Sequence, residues 1–348
     1  MSLTTIKEIM SEGVRLGHEE VHLTGGEPLV HPHLDEIMEA AFSLPFRVLI
    51  VNTNGTLLTE SFVNKAVAGP FPVHLTISLD GFGEQHEKNR GRGTFCKTIK
   101  GLETALDGGL SVRVFTVVSK DNIGILPSFI QWLWEEYPSV QGISLIPVGD
   151  VSKNTGTEWP HKEDEPSEGE SNLLTAEDIL EIGALSSAAI ISGRSVTVLD
   201  YPLINLVYQR LDVPVSFFGS HCTACRGRIC VQVNGDITPC HPCRERLGKY
   251  EQGAIEKAVE TPLYRTIKER EFEGCKSCPD RDICGSCRAA VLEKTGDILA
   301  GDPSCALIRK TLAAKTASLV TRVEELIYHF SSHKIPAQKD RRSADVAV

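Results

Sequence analysis

The chain has 348 residues, of which 41% are hydrophobic and 24% charged, and a formal net charge of −10. That length holds one large or two medium domains, and no apolar run approaches the roughly 18 residues that span a membrane, so a soluble protein is expected. The acidic balance excludes a surface built for nucleic-acid phosphates, which needs clustered Lys and Arg.

Apolar residues at helical spacing (Leu3, Ile6, Ile9, Met10, Val14, Leu16) predict a helix over 3–16 that ends at Gly17. A strand over 20–24 runs directly into Gly25-Gly26-Glu27-Pro28. Glycines after a strand let backbone approach a ligand closely, and the carboxylate that follows can accept hydrogen bonds from a ligand ammonium; the same pair also reads as a plain strand-ending turn. A helix carrying Leu34, Ile37, Met38, Ala41 and Phe42 follows, then a strand over 46–51 ending at Asn52-Thr53-Asn54-Gly55. After another helix, a strand over 73–79 ends at Asp80-Gly81. The pattern repeats as a helix near 94–107, a strand over 112–118 ending at Lys120-Asp121-Asn122, a helix over 127–136 and a strand over 143–147. Strands alternating with helices predict a parallel sheet with right-handed crossovers. Ligands in such folds lie at the carboxyl ends of the strands, so Glu27, Thr53, Asn54, Ser78, Asp80 and Asn122 are expected to face one cavity. Residues 149–172 are acidic, rich in Ser, Gly and Pro, and read as a solvated loop. A helix over 176–192 and a strand over 195–199 complete this part.

Ten of the eleven cysteines fall between 222 and 305: Cys222, Cys225, Cys230, Cys240, Cys243, Cys275, Cys278, Cys284, Cys287 and Cys305. Cys-x2-Cys places two soft sulfurs on one turn, within reach of the same metal centre. The second half reads Cys275-x2-Cys278-x5-Cys284-x2-Cys287, with Cys305 after a short helical stretch; the first half has Cys222 or Cys225, then Gly235-x4-Cys240. Three readings stand. Disulfides need an oxidising compartment, and cysteines this close together make poor partners. Zinc needs four ligands per site, and eight of the ten could make two sites. Iron-sulfur clusters fit the spacing and a reducing cytoplasm. After 217–220, residues 229–234, Gly235-Asp236 and 237–238 predict a β-hairpin that returns Cys240 to Cys222 or Cys225. Cys96, at a predicted helix start, reads as a buried structural thiol. A helix over 306–330 and a disordered tail over 334–348 close the chain.

The series Leu23-Thr24-Gly25-Gly26-Glu27-Pro28, Asn52-Thr53-Asn54-Gly55 and Ser78-Leu79-Asp80-Gly81 with Arg90-Gly91, followed by this cysteine block, resembles the radical S-adenosylmethionine enzymes with a SPASM domain. The likeness covers roughly residues 3–310. It implies an α/β fold, a partial (β/α)6 TIM-like barrel with its first strand missing at 1–200. A small cysteine-rich SPASM domain with a β-hairpin and helices follows at 215–310, and a helix and tail at 311–348. It further implies that Gly25, Gly26 and Glu27 meet the methionine amino group of S-adenosylmethionine, Ser78 and Asp80 the ribose region, and Arg90 or Arg92 the carboxylate; Pro28, and the strand-end residues Thr53, Asn54 and Asn122, are counted with the same cofactor site. Two auxiliary 4Fe-4S clusters are implied, one on Cys222, Cys225, Cys240 and Cys287 and one on Cys275, Cys278, Cys284 and Cys305. Cys230 and Cys243 are spare, and either could replace Cys222 or Cys225.

Such enzymes bind a catalytic 4Fe-4S cluster through Cys-x3-Cys-x2-Cys, and no cysteine precedes Cys96 here. The expectation is a shortened N-terminus and a chain that does not cleave S-adenosylmethionine alone. The complete form would abstract a hydrogen atom from a peptide or a haem-pathway tetrapyrrole, with a low-potential donor such as flavodoxin or ferredoxin, in the cytoplasm, without a membrane or nucleic-acid partner. Two other readings stay open: a non-catalytic iron-sulfur electron carrier or peptide binder, and a zinc-stabilised module.

Overall fold

The computed structural model describes residues 1–148, 174–215 and 222–332. The expected loop at 149–172, the stretch at 217–220 and the tail at 334–348 lie outside the described residues. In chain order the first part comprises α1 (Leu3–Arg15), β1 (Glu20–Leu23), α2 (Leu34–Phe42), β2 (Val48–Thr53), α3 (Glu60–Val67), β3 (Val73–Ser78), α4 (Gly83–Arg90), α5 (Thr94–Asp107), β4 (Ser111–Val118), α6 (Leu126–Glu136), β5 (Gly142–Pro147), α7 (Ala176–Ile191), β6 (Val196–Val198) and α8 (Ile204–Arg210). The cysteine-rich part has β7 (Cys230–Val231), β8 (Asp236–Thr238), β9 (Gly248–Lys249), α9 (Ala254–Val259), α10 (Pro262–Glu269) and α11 (Arg288–Thr295), and α12 (Pro303–Ser332) follows.

The six long-range strands form one sheet in sequential order, every pair parallel, as the alternation of strands and helices requires. β4 shows why the sheet has two unlike faces: Val112, Val114, Thr116 and Val118 are buried under helices, and the alternate residues Arg113, Phe115 and Val117 point to the other side. That other side is polar. Asn52 donates to Thr24 Oγ1 and accepts from Thr76, Ser144 pairs with Thr197 at 3.0 Å, and Arg113 donates to Ser195 Oγ at 2.8 Å. Among the described residues no strand pairs with the outer edge of β1. No helix among them is long and apolar enough to cross a membrane.

Two connections tie the cysteine-rich part to the sheet. In α1, Glu12 is 1% exposed, and its carboxylate accepts from the backbone N–H groups of Gly253, Ile255 and Glu256 at 2.8–3.1 Å, capping α9 from a distant helix. α12 starts at Pro303, so the expected boundary at 311 falls inside a continuous helix. Ile308, Leu312, Leu319, Val323, Leu326 and Phe330 recur at helical spacing and are buried. The helix packs along α7, with ion pairs from Lys315 to Glu177 and from Arg322 to Glu181.

One close approach fixes the rim. A Cβ on Gly101 in α5 would stand 2.0 Å from the Gly55 carbonyl oxygen, so only glycine lets α5 lie against the turn after β2. Gly101→Ala is expected to cost at least about 1–3 kcal/mol, because backbone cannot yield as a side chain does. Denaturant unfolding measures this, and an unchanged midpoint would show that α5 can lift away freely.

Candidate functional site

The site begins where β1 stops. Gly25 has φ +126°, a conformation that side chains rarely adopt, and nothing lies within 4 Å of where a Cβ on Gly26 would stand. Backbone is therefore open to a ligand there. Glu27 caps the short 3-10 turn Pro28–Val30 by accepting from Leu29 N–H at 3.1 Å. It also accepts from Thr53 Oγ1 and Asn54 N–H, both at 2.7 Å, which ties the end of β1 to the end of β2. A carboxylate has about four acceptor positions. Three are taken, which leaves one for a donor in the opening beside Gly26. Ser78, at the end of β3, is half-buried, and its hydroxyl makes no side-chain hydrogen bond among the described residues.

Asp80 and Asn122 are turned inward instead. Asp80 is fully buried; Oδ2 accepts from Asn89 and from Arg90 Nε at 2.6 Å, and Oδ1 from Arg90 Nη2 and Val117 N–H. Every acceptor position is filled from within the protein, so a ribose contact does not reach these oxygens in this arrangement. Their effect is to aim Arg90, at the last turn of α4. Asn122 donates to the Asp80 and Val117 carbonyls and accepts from Ser119 N–H, so it works as a strut under the β4 exit. Its amide is spent on backbone.

The cysteine-rich part stands over this rim. Val233, in the β7–β8 turn, is 68% exposed and lies 3.8 Å from where a Cβ on Gly25 would be. Beneath the same part are groups that strand-end reasoning passed over. Asp200, in left-handed backbone just beyond β6, is reachable by water yet surrounded by protein; burial raises its carboxyl, against the pull of nearby Arg228 and His241. His22 on β1, lowered chiefly by burial, also faces Arg228. The signal for Asp200 was present, since Leu199-Asp200 repeats the Leu79-Asp80 pattern after a strand.

The thiols fall into two groups. Cys240 touches Cys243 sulfur to sulfur, and Cys222 and Cys287 lie near enough to influence it. Cys225 feels Cys222 and Cys243. The hairpin thus returns Cys240 to Cys222, and it brings in Cys243 as a fifth sulfur. Cys230 sits apart on β7, across from Thr238. In the second group, Cys284 feels Cys275, both feel Cys305, and Cys275 also feels Cys278. Burial, then the neighbouring thiols, pushes Cys225 up to about 12; burial lifts Cys284 to about 11 and raises Cys287 and Cys275. The hydrogen bond with Cys243 and then burial raise Cys240, and the same bond lowers Cys243. Burial opposes the thiolate form at Cys225, Cys275, Cys284 and Cys287, and a bound cation would offset that.

Two buried arginines complete the surroundings. Arg288 is 1% exposed, donates to the Ile298 and Ala300 carbonyls and lies 4.1 Å over Phe272, with Nε and Nη2 unpartnered among the described residues. Arg270 is 3% exposed, reaches the Arg281 carbonyl and likewise leaves Nε and Nη2 unpartnered. Unpaired buried guanidinium N–H groups are costly, and a thiolate-bound metal centre, which is anionic, would offset that cost. Donor chemistry and surroundings both fit such a centre. Cys96 differs from expectation: it is exposed on the first turn of α5.

Residues 1–133 match the family model described as the Radical SAM superfamily. Over those residues the chain is similar to the radical SAM superfamily. The relatives that the chain resembles over most of its length are named as enzymes, which supports an enzyme here. Over 311 residues it is 25% identical to the AdoMet-dependent heme synthase of Methanosarcina barkeri, covering 86% of this chain and 85% of that one. It is 24% identical over 318 residues to the PqqA peptide cyclase of Granulibacter bethesdensis, covering 86% and 77%. Among solved structures, native anSMEcpe with bound AdoMet and Kp18Cys peptide has a TM-score of 0.65 at 17% identity, covering 93% of this chain and 91% of that one. That likeness extends the shared fold beyond residues 1–133 through the cysteine-rich part.

Proposed function

We propose that this chain is a radical S-adenosylmethionine protein of SPASM type, whose substrate is a peptide or a tetrapyrrole and which carries two auxiliary 4Fe-4S clusters. The observation that carries the reading is that Val233, in the β7–β8 turn of the cysteine-rich part, lies 3.8 Å from where a Cβ on Gly25 would stand, which sets the thiol-bearing part beside the open Gly25-Gly26-Glu27 loop. The two auxiliary clusters would supply single-electron transfer, whereas the deoxyadenosyl radical would require a further cluster on a Cys-x3-Cys-x2-Cys loop. The chain's own residues bind and orient. Glu27 keeps one acceptor position for the methionine ammonium, Arg90 is held by Asp80 for the carboxylate, and Ser78 has a free hydroxyl at the same rim. Arg228, Asp200 and His241 present charge to a substrate between the sheet and the cysteine-rich part. Arg228 suits a carboxylate, which peptides and tetrapyrroles both carry.

Cluster chemistry is favoured over zinc by the spread of the thiols. A zinc ion draws four ligands to about 2.3 Å from one point. Among the described residues no three Cys, His, Asp or Glu side chains are grouped to hold a single ion. The sulfurs we assign are Cys222, Cys225, Cys240 and Cys287 for the first cluster and Cys275, Cys278, Cys284 and Cys305 for the second.

The chain contains no Cys-x3-Cys-x2-Cys. The proposal therefore includes that these 348 residues by themselves bind S-adenosylmethionine without cleaving it. Anaerobic incubation of the reconstituted chain with S-adenosylmethionine and a low-potential reductant is expected to yield no 5′-deoxyadenosine above a cofactor-free control. Product above that control would overturn this part of the reading.

A further inference from the structure

Arg309 lies one helical turn beyond Cys305 on α12 and reaches across to the loop of Cys278. Its Nε donates to Cys305 Sγ at 3.4 Å, and its Nη2 donates to Cys278 Sγ at 3.4 Å and to Asp280 Oδ2 at 2.7 Å. One guanidinium thus spans two of the four sulfurs in the second group, and the Asp280 carboxylate, on a side chain 14% exposed, holds it there. An ion pair formed only for stability would not need two sulfurs at its other edge. Arginine's planar fork suits such double contact, which the point charge of lysine cannot reproduce.

We infer that Arg309 sets the reduction potential of the cluster held by Cys275, Cys278, Cys284 and Cys305, and that Asp280 moderates its effect. The inference rests on the two-cluster reading above. Reduction adds one electron to the cluster from an external low-potential donor, breaks no bond and makes the cluster one charge more negative. N–H donors on the sulfurs and a cation beside them stabilise that added charge, whereas a carboxylate opposes it. Removing the arginine and removing the carboxylate therefore act in opposite directions.

The test is a mediated redox titration of the reconstituted full chain, followed by electron paramagnetic resonance, with iron and sulfide counted on every sample. R309Q is expected to make one of the two clusters about tenfold harder to reduce, a shift of about 59 mV to lower potential for a one-electron couple, with the other wave unmoved. D280N should move the same wave the opposite way, and R309K should fall between wild type and R309Q. Opposite shifts at unchanged iron content cannot come from loosened packing, which would move both variants alike or lose iron from both. If both variants shift together, or neither shifts while iron is retained, Arg309 is only an ion-pair partner and the inference fails. If R309Q loses iron, the opposite movement of D280N and the partial effect of R309K still decide. Wild-type protein that takes up iron for fewer than two clusters overturns the two-cluster reading, and the inference falls with it.

Discussion

Alanine at Asp80 is expected to destabilise the sheet domain by about 3–5 kcal/mol, the usual penalty for stripping one partner from a buried ion pair. The argument is one of counting. Asp80 is fully buried and accepts from Arg90 twice, from Asn89 and from the Val117 backbone, so its removal leaves four donor contacts unmet. Arg90 is 21% exposed at its side chain and can recover only part of its solvation from water. Urea unfolding of D80A beside wild type measures the loss. A loss below about 1 kcal/mol would show that the pair is solvated in practice, in the range of surface ion pairs, and would return Asp80 to the set of residues free to meet a ribose.

The second large effect concerns iron. After anaerobic reconstitution the chain is expected to hold about eight irons with matching sulfide, and Cys305→Ala or Cys240→Ala to reduce this to about four, because each removes a ligand from a different cluster. Cys230→Ala and Cys96→Ala should leave the content unchanged, since Cys230 lies on β7 beside Thr238 and Cys96 is exposed on α5. Cys225→Ala and Cys243→Ala, compared side by side, identify which of these neighbours completes the first set; the assignment above expects the loss at Cys225. About two zincs per chain with little iron would end the redox reading altogether.

How much of this was legible in the sequence depended on the kind of signal each element gave. Strands bounded by polar turns were readable because the β2, β3, β4 and β5 runs are short, β-branched and end at Asn, Asp or Pro. β2 nevertheless begins at Val48 and takes in Asn52 and Thr53, two polar residues that hydrophobicity placed beyond the strand. α4 gave no signal at all. Its residues Gly83 to Arg90 include no aliphatic side chain, only His86 is buried, and its end is held by Asn89 and Arg90 on Asp80, a contact that no periodicity records. β9 is two residues long and exists through its pairing with β8.

The site divides in the same way. That polar residues at strand ends cluster was readable, but strand position does not say which way a side chain turns. Glu27 keeps an open acceptor, whereas Asp80 and Asn122 are consumed by their own backbone and by α4. The two thiol groups followed from spacing and resemblance. Cys243's place beside Cys240 was legible in their Cys-x2-Cys spacing, closed by a turn in which Cys243 N–H donates to the Cys240 carbonyl at 3.2 Å, but the resemblance had left Cys243 spare. Asp200, Arg228 and His241 were missed because they meet from three distant segments.

α12 also bears on the order of events while the protein is made. Cys305 is the last cysteine in the chain and sits at the head of a helix of 30 residues, about 45 Å long, whose buried stripe reaches Phe330. Its docking surface, α7, is synthesised more than a hundred residues earlier. Under the two-cluster reading, the fourth sulfur of the second cluster takes its place only after the other three ligands have been made and this helix has settled on α7. Metal loading at that centre would then report that α12 has docked, because a helix not yet seated on α7 leaves three sulfurs held and one adrift.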